Sequence, residues 1–125
     1  MELNIERHDD SGKSLLRLDL QGRLNTDTAP ALSAVLHEAI ENDRQMVLLN
    51  MAELTYISSA GLRVIFKAAK TLKAAGRSLA VSNRQPQVEK VFEILQALPD
   101  MAVFANEGEL DAYLDAMQKK VTRDD

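Results

Sequence analysis

The sequence predicts a single α/β (mixed α+β) domain: a four- to five-stranded mixed sheet packed with about four helices, in the order β-β-α-β-α-β-α-β-α. Three observations carry this expectation. The first twenty residues alternate apolar with polar, several later segments repeat apolar residues at helical spacing, and short apolar stretches of strand length separate those segments. Helices between strands make the sheet at least partly parallel, since parallel neighbours need a crossover connection.

Leu3 and Ile5, then Leu16, Leu18 and Leu20, alternate with polar neighbours, and the Asp9-Asp10-Ser11-Gly12 turn cluster between them makes a hairpin, which Gly22 breaks. From Thr26 to Asn42 the period changes: Leu32, Val35, Leu36, Ala39 and Ile40 share one helical face, Thr26 or Asp27 can cap its start, and Pro30 fits a first turn. Met46-Val47-Leu48-Leu49 does not alternate, as expected of a central strand covered on both faces. Leu62, Ile65, Phe66, Ala69 and Leu72 form the next helical stripe, ended by Gly76, and Leu79 and Val81 a short strand. Val88, Val91, Phe92 and Leu95 predict a third helix after Pro86, and Met101 to Phe104 a last strand. Asn106 with Glu109 resembles a capping box opening a final helix on Leu110, Tyr113, Leu114 and Met117. The domain is expected over residues 1–118, with 119–125 a charged, frayed tail.

With 125 residues, 46% hydrophobic and 27% charged, the chain has the size and composition of one globular domain. No apolar run approaches the ~20 residues that span a bilayer, and the first residues lack a basic stretch leading into a hydrophobic one. A cytoplasmic protein without membrane insertion is the expectation. A net charge of −4 argues against nucleic acid as partner, because phosphate neutralisation needs a basic face. The absence of cysteine removes disulfides and thiolate chemistry. His8 and His37 are the only histidines, and no Gly-x-Ser-x-Gly elbow or Walker loop is present, so no enzyme activity, metal or cofactor is expected. Nothing in the sequence fixes the oligomeric state, monomer or weak dimer.

The segment Tyr56-Ile57-Ser58-Ser59-Ala60-Gly61-Leu62 stands out, because two serines and a glycine lie where an extended segment passes into a helix. Ser58 or Ser59 suits an N-cap. Gly61 costs roughly 1 kcal/mol against alanine in a first turn, so it needs another reason. The small side chains of Ala60 and Gly61 suggest a surface that another molecule approaches closely. A helix N-terminus also favours negative charge, so a phosphate on a serine there is expected to leave the fold undisturbed. Arg63 and Lys67, one turn apart, suggest a solvated face or a rim for an acidic partner.

These residues resemble the signature of the STAS domain, as found in bacterial anti-sigma factor antagonists. Leu20-Gln21-Gly22-Arg23-Leu24-Asn25 with Thr28-Ala29-Pro30-Ala31-Leu32, Val47-Leu48-Leu49-Asn50-Met51 and Val91-Phe92-Glu93-Ile94-Leu95 are similar to further elements of that family, over roughly residues 3 to 117. The resemblance implies a switch protein. The unmodified form binds an anti-sigma factor that is also a serine kinase, phosphorylation ends the interaction, and a PP2C-type phosphatase restores it. Aligned on Gly61-Leu62, the phosphoacceptor falls on Ser59, with Ser58 the alternative. Ser58 stands where the family has an aspartate, Ala60 where it has a second hydroxyl residue, and Asn25 where an acidic residue is common. The implied partner surface comprises Asn25, Thr26, Asp27, Ser58, Ser59, Ala60, Gly61 and Arg63. The alternative roles are a subunit or adaptor of a membrane transporter or stressosome-like complex, or a partner switch controlling biofilm or secretion.

Overall fold

The computed structural model describes residues 3–10, 12, 14–42, 45–97 and 107–123. β1 (Leu3–Asp10) and β2 (Leu15–Leu24) form an antiparallel hairpin with Ile5 opposite Leu20 and Asp9 opposite Leu16. β3 (Met46–Ile57) lies parallel to β2, and β4 (Ser78–Ser82) parallel to β3, giving the order β1-β2-β3-β4. The helices are α1 (Ala29–Glu41), α2 (Ser59–Ala74), α3 (Pro86–Ala97) and α4 (Glu107–Arg123). The mixed sheet with four helices is the predicted architecture. The strand expected over Met101 to Phe104 and the capping box at Asn106 lie outside the described residues.

Alternation places Leu16, Leu18 and Leu20 of β2 and Val47, Leu49 and Met51 of β3 in one buried cluster with Leu32 and Leu36 of α1 and Leu62, Ile65 and Leu72 of α2. The opposite face of the sheet carries a polar cluster beside Leu48. Asp19 accepts hydrogen bonds from Arg17 Nε and from Asn50 Nδ2, both at 3.0 Å, and His8 Nε2 lies 3.1 Å from its carboxylate. Burial works against the charged form of Asp19, yet the bonds from Asn50 and Arg17 and the nearby Arg17 and His8 charges outweigh it and hold its pKa below the ordinary aspartate value.

The structure corrects several expectations. Among the described residues β3 is covered unequally on its two faces: Val47 and Leu49 are buried while Leu48 is half-buried and Met46 is 39% exposed. Gly22 does not end the strand; with φ 110° it sits at a register shift, and β2 runs on to Leu24. Phe66 lies off the core stripe at 48% exposure, its ring edge-on to Phe92 at 6.2 Å, and Ala68 is buried in the stripe instead. The charged segment 119–123 belongs to α4. Lys119 pairs with Asp115 at 3.0 Å, and the Thr122 hydroxyl bonds the carbonyls of Gln118 and Lys119. Among the described residues, no helix is long and apolar enough to cross a membrane.

Candidate functional site

β2 and β3 end side by side, with Leu24 paired to Ile57. The next amide, Ser58 N–H, donates to the Leu24 carbonyl at 2.9 Å, which fixes the start of α2 beside the β2–α1 loop. Ser58 is extended (φ −104°, ψ 173°) and caps α2, its hydroxyl oxygen accepting the Gly61 N–H at 3.3 Å. Ser59 is therefore the first residue of the helix. Gly61 owes its missing side chain to the interior: a Cβ there would stand 2.5 Å from Leu24 Cγ and 3.3 Å from the Leu24 carbonyl oxygen. The expected approach of another molecule at Gly61 is thus replaced by Leu24, and only Ala60 of this small pair is partly exposed.

The loop before α1 is organised by Asn25. Its Oδ1 accepts the N–H groups of Asp27 and Thr28, each at 3.0 Å, while Thr28 Oγ1 accepts the Asn25 N–H at 2.8 Å and donates to the Arg23 carbonyl at 2.8 Å. Thr28 holds the N-cap position without a side-chain cap bond. Neither Thr26 nor Asp27 caps the helix as expected, because Thr28 holds the N-cap position and the Asn25 side chain closes the turn before it; both Thr26 and Asp27 are exposed. Asn25, Thr26 and Asp27 nevertheless follow directly on Leu24, so the structure brings them to the same corner as Ser58 and Ser59.

The largest departure concerns exposure. Ser59 is fully buried and Ser58 is 3% exposed. α4 packs on α3 and against α2, and Asp111 Oδ1 accepts the Ser59 N–H at 2.8 Å. Two turns further along, Gln118 Oε1 accepts the Ile57 N–H at 3.0 Å and Gln118 Nε2 donates to the Ile57 carbonyl at 2.8 Å. A side-chain amide thereby completes the backbone pairing at the end of β3. Asp111 and Gln118 were not foreseen from the sequence. The available signal was Gln118 itself, a polar residue four places after Leu114 on the buried stripe of α4. Charge added at Ser59 in this arrangement would join a residue whose amide already holds a carboxylate, so the expectation of an undisturbed fold does not hold for the closed site.

Two features flank this corner. Between α1 and α2 runs a groove of about 360 Å³ with Leu36, Ile40 and Val64 in its wall and His37, Arg63 and Lys67 on its rim. On the other side Tyr56 lies under the Arg23 guanidinium, 4.1 Å from its ring centre. Burial first, then the nearby carboxylates of Asp115 and Asp111, raise the Tyr56 pKa against the opposing Arg23 charge.

Residues 3–110 match the family model of the STAS domain. The chain belongs to the STAS family. Its STAS domain is similar to BtrV of Bordetella bronchiseptica, named as an anti-sigma factor antagonist, at 36% identity over 94 residues, 75% of this chain and 78% of that one. An anti-sigma F factor antagonist of Paenibacillus polymyxa is 27% identical over 108 residues, covering 86% and 91%. Among solved structures, an anti-sigma factor antagonist from Mycobacterium paratuberculosis superposes with a TM-score of 0.69 at 17% identity, covering 94% of this chain and 95% of that one. Unphosphorylated SpoIIAA gives 0.62 at 18%, covering 73% and 83%; both likenesses are of fold. In this STAS domain the β3–α2 step, the Asn25 loop and α4 converge on one corner, and Arg63 stands one turn along α2 on its exposed side.

Proposed function

We propose that this STAS domain is a phosphorylation-controlled binding protein of the anti-sigma factor antagonist type, with Ser59 as its switch residue. The observation that carries the reading is the position of Ser59, first residue of α2, beside the loop of Asn25, Thr26 and Asp27. A serine there joins a positive helix end to a corner built from two connections, where a change of charge alters what docks on the exposed residues around it. The names of the relatives support an anti-sigma factor as partner, and SpoIIAA is described in a phosphorylated as well as an unphosphorylated form.

The partner's footprint comprises the exposed Thr26 and Asp27, the half-buried Asn25 and Ala60, and Arg63 at the rim of the α1–α2 groove. An anti-sigma factor with serine kinase activity binds the unmodified form. In the transfer, the Ser59 oxygen bonds to the γ-phosphorus of ATP, the bond from that phosphorus to the β–γ bridging oxygen breaks, ADP leaves, and the hydroxyl proton passes to a base of the kinase. A PP2C-type phosphatase adds water and releases inorganic phosphate, restoring the hydroxyl. No chemistry is assigned to the STAS domain itself.

The test is incubation of the full chain with the anti-sigma kinase of its own organism and ATP, followed by intact mass and peptide sequencing. One added phosphate mapping to Ser59, and absent from Ser59→Ala, is expected. A phosphate on Ser58 alone, or none, overturns the assignment.

A further inference from the structure

We propose that α4 is a cover over the switch residue: the closed form seen here withholds Ser59, and α4 must lift from the N-terminus of α2 before Ser59 becomes reachable. The inference rests on the reading of Ser59 as the switch and adds its regulation. Ser59 has no exposed surface, and α4 bonds both to its amide, through Asp111, and to the residue two before it, through Gln118. An acceptor in that state offers nothing to an enzyme's active site.

The same contacts make α4 suited to lifting. Asp111, Leu114 and Gln118 lie on one helical face, so a single outward movement releases all three. The bonds at Ile57 and Ser59 are polar, and water replaces each of them once the helix is away. What is lost without replacement is the burial of Leu110 and Leu114. α4 contributes only Leu110 and Leu114 to the buried core, most of which lies in β2, β3, α1 and α2, so its opening costs less than unfolding the whole.

The cover is also selective for the unmodified state. The Ser59 N–H, a helix-start donor that a phosphate on the same residue would use, is already taken by the Asp111 carboxylate. A phosphoserine carrying −1.5 to −2 charges opposes the return of that carboxylate, so modification holds α4 open. α4 thereby couples the state of Ser59 to the shape of the corner where the partner docks.

The chain contains no cysteine, so a single thiol reports the cover without any kinase. The rate of alkylation by iodoacetamide is measured for Ser59→Cys and for Ala34→Cys, the latter on the exposed face of α1. Ser59→Cys is expected to react at least about tenfold more slowly than the control, and adding Gln118→Ala to speed it at least about tenfold while leaving Ala34→Cys unchanged. Equal rates, or a Ser59→Cys rate indifferent to Gln118→Ala, overturn the proposal. With Ser59 intact, amide hydrogen exchange in Gln118→Ala is expected to quicken at Ile57 and Ser59 and not at Leu18 or Leu49; uniform quickening overturns it equally. Because no kinase is used, failure of the cover leaves the switch reading of Ser59 standing, and failure to phosphorylate Ser59 leaves the cover standing.

Discussion

The Asp111 carboxylate accepts the backbone N–H of Ser59 at 2.8 Å, joining α4 to the first turn of α2 across 52 residues of sequence. The contact satisfies one of the orphan amides of α2 and sets a negative charge against the positive end of the helix. Asp111→Asn keeps the shape and removes the charge. The unfolding free energy is expected to fall by about 1 kcal/mol at low salt, and by less at high salt, in urea titrations.

Gly61→Ala sets two effects against each other. Alanine gains up to about 1 kcal/mol of helix propensity, but overpacking a filled core costs typically ~1–3 kcal/mol. Because the added carbon would stand 2.5 Å from the γ-carbon of a fully buried leucine, and near backbone as well, the clash is expected to win. In a Leu24→Ala background the same change is expected to become neutral or stabilising. A double-mutant cycle by urea denaturation reads the coupling, and additivity would remove Leu24 as the reason for this glycine.

Ser58 caps α2 through its hydroxyl oxygen. Ser58→Ala is expected to lower stability by about 1 kcal/mol, the usual cost of an N-cap, and to leave Ser59 as the phosphorylated residue. Thermal melts and peptide sequencing of the phosphorylated protein check the two halves.

Asp19 gives stability a pH dependence of known sign. Its folded pKa lies below the unfolded value of about 3.9, so its contribution is fully present above that value and is lost as pH falls through the lower folded value. The stability gap between the native chain and Asp19→Asn is therefore expected to shrink as pH falls below about 4. A gap that widens as pH falls below about 4 contradicts the network around Asp19.

The fold was legible because its elements carry their own periods: alternation at Leu16, Leu18 and Leu20, and helical spacing at Leu32, Leu36, Leu62 and Leu72. The misread details lie where a residue's surroundings decide its role. Met46-Val47-Leu48-Leu49 looks doubly covered because leucine occupies both faces, yet the two faces are covered unequally. The glycine at Gly61 was rightly seen to need a reason, but the reason is Leu24, from a neighbouring strand. Asn25 displaced Thr26 and Asp27 as organiser of the first helix start because its side chain reaches two amides at once. The position of α4 left one local trace, the polar Gln118 on an apolar stripe, since Asp111 and Gln118 meet the site only through tertiary packing, 52 and 61 residues from their partners.

The claim at the centre is that charge on Ser59 decides whether the partner stays bound. Isothermal titration of the anti-sigma factor into unmodified protein and into protein phosphorylated on Ser59 tests it most directly. The phosphorylated form is expected to bind at least about 100-fold more weakly, the scale of an uncompensated charge at a docking surface. Equal affinities would contradict it.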